Sequence, residues 1–310
     1  VKGDNFGWFL DVAGDVALVG AFEKNNDAGA AYFFERNSSG VWTQVKTVVP
    51  SGSGRHHFGA GVRTDGSTAV VGSYVPNNMR GLSYVYEKSG SAWSSVQTLT
   101  ASDGTSYDQF GVSSDVEGNT IVVGAVVDDH KASDAGSAYV VMKSGTTWSQ
   151  TQKLTANDAL AYAQFGWTVR LEGDTLLVGA RQDFNYSGAA YVFSRSGTVW
   201  SPQAKLTADV RTNNDYFATA IDLSGDAAIV GTPWDDDRGS ASGSAFLFSR
   251  SGTAWSSLGK LTATDGDASD FYGEAVALSG MEAAVGARGD EYTLGFNAGT
   301  LYAYQVSGYA

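Results

Sequence analysis

Residues 165–180 read Phe165-Gly166-Trp167-Thr168-Val169-Arg170-Leu171-Glu172-Gly173-Asp174-Thr175-Leu176-Leu177-Val178-Gly179-Ala180. Two extended stretches flank Gly173-Asp174, a dipeptide suited to a tight hairpin turn. The second stretch is almost wholly apolar, as a strand covered on both faces would be. Beyond a loop the chain resumes at Gly188-Ala189-Ala190-Tyr191, turns at Ser196-Gly197-Thr198, and passes through Trp200 to Lys205-Leu206-Thr207-Ala208. The spacing predicts four short antiparallel strands in sequence order.

The same series occurs six times. Its first landmark is Phe6-Gly7, Phe58-Gly59, Phe110-Gly111, Phe165-Gly166, Phe217-Ala218 and Tyr272-Gly273, a period of 52 to 55 residues. Its apolar run closes on Val19-Gly20-Ala21, Val123-Gly124-Ala125, Val178-Gly179-Ala180 and Val285-Gly286-Ala287, and its fourth segment carries Trp42, Trp93, Trp148, Trp200 or Trp255. A four-stranded sheet cannot bury both faces alone, but stacked sheets cover one another. The expectation is an all-β fold: a single six-bladed β-propeller domain over residues 1–310, with four-stranded antiparallel blades. The glycine of each Val-Gly-Ala run marks a crowded place that admits no side chain, and the recurrent tryptophans read as packing residues.

Composition agrees. The chain has 39 Gly, 4 Pro, 12% aromatic residues and 43% hydrophobic residues. Its 33 acidic and 20 basic residues give a net charge of −13, with no Lys/Arg run to meet a phosphate backbone, which argues against nucleic acid as a partner. Without cysteine it has no disulfide, thiolate metal site or cysteine nucleophile. No segment is long and apolar enough for a membrane-spanning helix, so no membrane insertion is expected.

The Phe-Gly, Val-Gly-Ala and Gly-x-Ala-Tyr segments together resemble the FG-GAP repeat family, which includes the propeller head of integrin α-chains and a fungal lectin. The resemblance covers nearly the whole chain. Integrin-like blades often carry a calcium loop between the first and second strands; here that connection is a tight turn such as Gly173-Asp174, so those sites are not transferred. What remains resembles the calcium-free branch, which implies an extracellular or cell-surface protein. A second departure is the last copy, which stops at Gly308, in register with Gly252 before Trp255. The last blade is expected to lack its fourth strand, leaving an edge near Leu301 to Val306 where another chain could add a strand.

In such a blade the 1–2 and 3–4 turns lie on one face and the 2–3 and 4–1 connections on the other. The latter are longer and vary between copies, so the functional face is placed there. Ligand-binding candidates are Trp234, Asp235, Asp237, Tyr107, Asp183 and Tyr186, since carboxylates beside ring faces suit sugars or protein surfaces. Each loop acid also has a plain reading, solvated or engaged in an Asx-turn. Asp235-Asp236-Asp237 is the densest carboxylate group and the one candidate for metal, namely calcium; no other cofactor is indicated. Asp4, Asp108, Asp215 and Asp270 recur two residues before the aromatic landmark, which favours a structural role. Arg288-Gly289-Asp290 spells the integrin-recognised tripeptide and is treated as chance. Trp8 and Trp167 follow Phe-Gly and read as packing near the axis.

Three histidines, His56, His57 and His130, stand in no zinc-type spacing, and no pair of acids is singled out as a glycosidase pair. The sequence therefore reads as a non-catalytic adhesion or protein-interaction module. A carbohydrate-binding lectin is the second reading and a glycan-acting enzyme a distant third. The ligand is a protein or a glycan.

Overall fold

The computed structural model describes residues 3–52, 54–290 and 299–306. The chain divides into two compact units, residues 1–155 and 156–310. Each unit holds three blades, every one an antiparallel sheet with its strands in sequence order.

The first unit contains β1–β4 (Phe6–Ala13, Val16–Ala21, Ala30–Arg36, Trp42–Val48), β5–β8 (Gly61–Thr64, Thr68–Ser73, Leu82–Ser89, Ala92–Leu99) and β9–β12 (Phe110–Glu117, Thr120–Ala125, Ser137–Ser144, Thr147–Leu154). The second contains β13–β16 (Phe165–Glu172, Thr175–Ala180, Ala189–Ser196, Val199–Leu206), β17–β20 (Ala220–Ser224, Ala227–Thr232, Ser244–Ser251, Ala254–Leu261) and β21–β23 (Tyr272–Ser279, Glu282–Ala287, Thr300–Gln305). The six-bladed β-propeller expected from the repeats is therefore present, and among the described residues its last blade has three strands. The only helical segments among the described residues are single turns at Lys24–Asp27, Pro76–Met79 and Asp183–Tyr186.

Second strands are the most buried: Thr120–Ala125 and Thr175–Ala180 are covered throughout, as their unbroken apolar runs require. The landmark aromatics Phe58, Phe110, Phe165, Phe217 and Tyr272 are all essentially solvent-free.

The landmark glycines are explained by one recurring contact. A Cβ on Gly20 would collide with the carbonyl oxygen of Gly59 in the next blade; one on Gly72 would strike that of Gly111, and one on Gly231 that of Gly273. The approaching glycine itself has a left-handed backbone, φ +92° at Gly59 and at Gly273, which L side chains rarely adopt. Adjacent blades are also stitched by backbone hydrogen bonds, such as Phe217 N–H to the Ser187 carbonyl at 3.0 Å and Tyr272 N–H to that of Ser242 at 3.1 Å. Phe-Gly and Val-Gly are thus two halves of one interface.

Trp93, Trp148 and Trp200 pack as expected, and the indole N–H groups of Trp93 and Trp148 donate to Glu35 and Glu87 of the preceding blade at 3.0 Å each. Trp42 corrects that expectation, being 41% exposed. It lies on the same side of the first sheet as Leu10 and Val12, which are also exposed.

Candidate functional site

The loop carboxylates follow a pattern set by the sheets. In the third blade Lys153 on β12 stands opposite Tyr139 on β11. Its ammonium lies 2.7 Å from Asp103 in the preceding 4–1 loop and 2.8 Å from Asp128 in the 2–3 loop. The Tyr139 hydroxyl is 2.9 Å from Asp103 and 2.7 Å from Asp128, donating to one at a time. The fourth blade repeats this, with Lys205 at 2.7 Å from Asp158 and 2.8 Å from Asp183, and with Arg211 adding a second cation at 2.9 Å from Asp183. In the fifth blade Lys260 lies between Asp235 and Asp237. Burial opposes ionisation of Asp128, but the hydrogen bonds from Lys153 and Tyr139 hold its carboxyl below the ordinary value.

These contacts place the sequence-predicted acids. Asp183 is fully buried, and Asp235 nearly so, accepting from Ser244 as well as from Lys260. Asp236 accepts the Ala241 N–H at 2.7 Å, whereas Asp237 is largely exposed at its Lys260 contact. The three aspartates thus face a lysine, a serine and a backbone amide. No group of three metal-ligating side chains is gathered among the described residues. Asp290 is buried and lies 2.6 Å from the Tyr302 hydroxyl, so Arg288-Gly289-Asp290 is not presented as an exposed tripeptide. In the 1–2 turns, Asp15, Asp174 and Asp226 pair with Arg36, Arg195 and Arg250 of their own blades.

The aspartates before the aromatic landmark are structural. Asp108 accepts the Thr105 N–H at 2.6 Å and its hydroxyl at 2.7 Å, and Asp270 accepts the Asp267 N–H at 2.7 Å. At Asp215, burial first and the charge of Asp235 next push the carboxyl up to about 7. A folded-state value above the unfolded one means that stability is full below about 4 and is lost as pH rises through about 7. Asp215→Asn is therefore expected to gain about 2 kcal/mol relative to wild type between pH 5 and pH 8. Urea unfolding at the two pH values reads this, and a gain that does not change with pH would disprove it.

The loops of the second unit carry a row of rings. Tyr186 and Tyr216 lie 5.7 Å apart, Tyr216 and Trp234 6.1 Å, and Trp234 and Phe271 5.1 Å between centroids. Guanidinium groups accompany them. Arg181 lies 3.1 Å over Trp167 and 5.9 Å from Tyr216, Arg288 is 4.5 Å over Phe271, and Arg211 is 4.7 Å over Phe184. Arg181 also donates to Gln164 at 2.9 Å, and burial lowers its pKa to about 10. Trp234 remains 46% exposed, and Phe184 and Tyr186 are exposed as well.

Trp234 and Tyr186 were legible as candidates; Trp167, Arg181, Tyr216, Phe271 and Arg288 were not. Tyr216 and Phe271 each directly precede the landmark aromatic, a position with positive φ in all six copies, Asn5, His57, Gln109, Gln164, Tyr216 and Phe271. Comparing that one column would have shown aromatics only in the last two repeats. Trp167, read as packing, stacks on Arg181. Tyr107 is 61% exposed on a loop of the first unit.

Repeated antiparallel blades, tied through glycine contacts and bearing their varied side chains on the 2–3 and 4–1 loops, define a repeat β-propeller. The profile of the FG-GAP repeat matches residues 1–34, 93–141, 148–193, 200–248 and 255–304. The chain belongs to the FG-GAP repeat family. Four of these segments open at the fourth-strand tryptophan of one blade and close in the third strand of the next. Residues 35–92 lie outside the matches, yet the second blade has the same strand order as the others. No curated protein matches the chain.

Proposed function

We propose that this propeller is a non-catalytic binding module that takes a protein ligand on the ring and guanidinium surface of its second unit. The observation that carries the reading is the row Tyr186, Tyr216, Trp234 and Phe271 flanked by Arg181 and Arg288. Trp, Tyr and Arg dominate the energetics of protein interfaces because they bury large area at low entropic cost and still offer polar edges. The family resemblance supports an extracellular or cell-surface, adhesion-type role.

A lectin is the second reading, favoured by the exposed Trp234 ring. It is weakened because the acids nearest the row, Asp183 and Asp235, are buried on lysine and arginine and so are not offered to sugar hydroxyls. Calcium has no assigned part, since Lys260 already supplies the cation between Asp235 and Asp237.

The test probes a panel of cell-surface and matrix proteins and a glycan array, each with and without calcium. Wild type and a Trp234→Ala, Tyr216→Ala double variant are compared. Retention of a protein, independent of calcium and weakened at least about 30-fold in the variant, is expected. Retention of a glycan, lost in the same variant, would replace this reading with the lectin. Binding that the variant leaves unchanged would remove this surface from consideration.

A further inference from the structure

Arg181 directly follows Ala180 at the end of β14, and Arg288 directly follows Ala287 at the end of β22, so the two hold the same place in their repeats. The residue that meets this place also corresponds, since Trp167 and Glu274 each lie two positions after the landmark aromatic. Arg288 pairs with Glu274, so its charge is met within its own blade. Arg181 has a ring instead, its guanidinium lying 3.1 Å from the centre of Trp167. In the first repeat the same place holds Phe22, 6.4 Å from Trp8. The fourth blade therefore sets a cation where the first sets a phenyl ring, and gives it no acid.

Arg181 is half-buried, and its Nε donates to Gln164 Oε1 at 2.9 Å. Among the described residues no carboxylate pairs with it, neither Nη donates a hydrogen bond, and only the Tyr216 hydroxyl acts on its charge. Burial without a counter-ion is why its pKa falls to about 10. Both Nη groups nevertheless reach solvent. A partly desolvated guanidinium costs free energy until an opposite charge meets it. The chain has 33 acidic residues, and none of the described ones is placed there. With Nε tied to Gln164 and one face on Trp167, the fork has a fixed direction, and the two Nη groups are the donors left for a ligand.

We propose that Arg181 is the anion-recognition point of the ring surface and takes the side-chain carboxylate of an acidic peptide segment, with a bulky apolar residue next to that acid lying on Tyr216 and Trp234. The Tyr216 ring is 5.9 Å from the guanidinium and 6.1 Å from Trp234, so the charged and apolar parts of the surface are continuous. A fixed guanidinium fork beside rings, partly out of water, favours a carboxylate over the matching amide through two charge-assisted hydrogen bonds. Arg288 is not a second such point, because Glu274 already occupies it. This inference rests on the binding surface of the proposed function and adds the chemistry of its ligand.

The test selects short peptides from a random library on the full chain at low salt, beside an array of acidic and neutral glycans. Selected peptides are expected to carry Asp or Glu next to Trp, Phe or Leu. Each is expected to bind wild type at least about tenfold tighter than its counterpart with the amide residue in place of the acid. Arg181→Gln removes the charge, and Gln164→Glu supplies an internal carboxylate while keeping the stack on Trp167. Either change is expected to narrow the preference to about threefold or less. Peptides that bind equally as acid or amide, and are lost in the Trp234→Ala, Tyr216→Ala variant, would overturn this inference and leave the ring surface standing. A preference for the acid that both Arg181→Gln and Gln164→Glu leave intact would overturn it too, by placing the carboxylate elsewhere. So would retention of acidic glycans and of no peptide, because the carboxylate would belong to a sugar. Selection of peptides that the double variant binds unchanged would overturn both the surface and this inference.

Discussion

Replacing Gly231 by alanine is expected to destabilise the protein by about 4 kcal/mol, while the same change at Gly286 costs less than about 0.5 kcal/mol. Both glycines hold the same place in the Val-Gly-small run of their repeats. At Gly231 the new methyl would enter the space of the Gly273 carbonyl oxygen, which is backbone of the next blade and cannot rotate away. Relief requires the two blades to part, breaking contacts such as the Tyr272 N–H bond to the Ser242 carbonyl. At Gly286 the nearest atom is the Ala275 side chain at 3.5 Å, an ordinary contact, and replacing glycine in a strand also lowers unfolded-state entropy. Gly225→Ala serves as a turn control: it has open space but φ +59°, and about 1 kcal/mol is expected. Urea denaturation of the three variants gives the comparison. Equal losses at positions 231 and 286 would show that the interblade contact is not what selects glycine.

Lys153→Met is expected to cost about 3 kcal/mol near pH 7. The methionine keeps most of the stem's packing but leaves Asp128, 3% exposed, without the ammonium that its carboxylate faces. The Tyr139 hydroxyl, the Ser137 hydroxyl and the His130 N–H remain, so the carboxylate is still hydrogen-bonded and the loss is not the full cost of a bare buried charge. The sign of the pH dependence follows. With Lys153 present the folded-state value of Asp128 is depressed, so its stabilisation exists above the unfolded value and fades as pH falls through the folded one. Without the ammonium, burial raises the value, and the penalty grows as pH rises. The gap between wild type and variant should therefore be small at pH 3.5 and widest above pH 7. Adding Asp128→Asn to the variant should recover at least half of the loss. A loss under about 0.5 kcal/mol, or one independent of pH, would mean that the carboxylate reaches water.

The two predictions show where sequence reading succeeded and where it stopped. The aromatic landmark, Val-Gly-small and Gly-x-x-aromatic six times over, with Trp in five copies, specified the strand order of the blades, because local alternation and turn chemistry act within a few residues. The role of Asp108 and Asp270 was also legible, since recurrence at one distance from a landmark is how a backbone-capping residue appears in a repeat. The acids of the 2–3 loops were less transparent. Asp183 and Asp235 look like surface ligands in the chain, yet each is buried by a lysine more than twenty residues downstream that strand pairing brings opposite. Residue spacing alone does not carry that pairing.

By itself the sequence determined the all-β class and the six blades, since hydrophobic alternation, turn residues and periodicity are local properties of the chain. Only the tertiary structure decided which side chains meet. It drew Asp128, Tyr139, Lys153 and Asp103 into one bonded group. It also set Tyr216 beside Trp234 and Arg181, from three different connections, and left Trp42 exposed while burying Trp93, Trp148 and Trp200. The reason is that these contacts join segments tens of residues apart through sheet register and blade stacking, and burial, which settles whether a carboxylate is a ligand or a strut, exists only after the blades have packed.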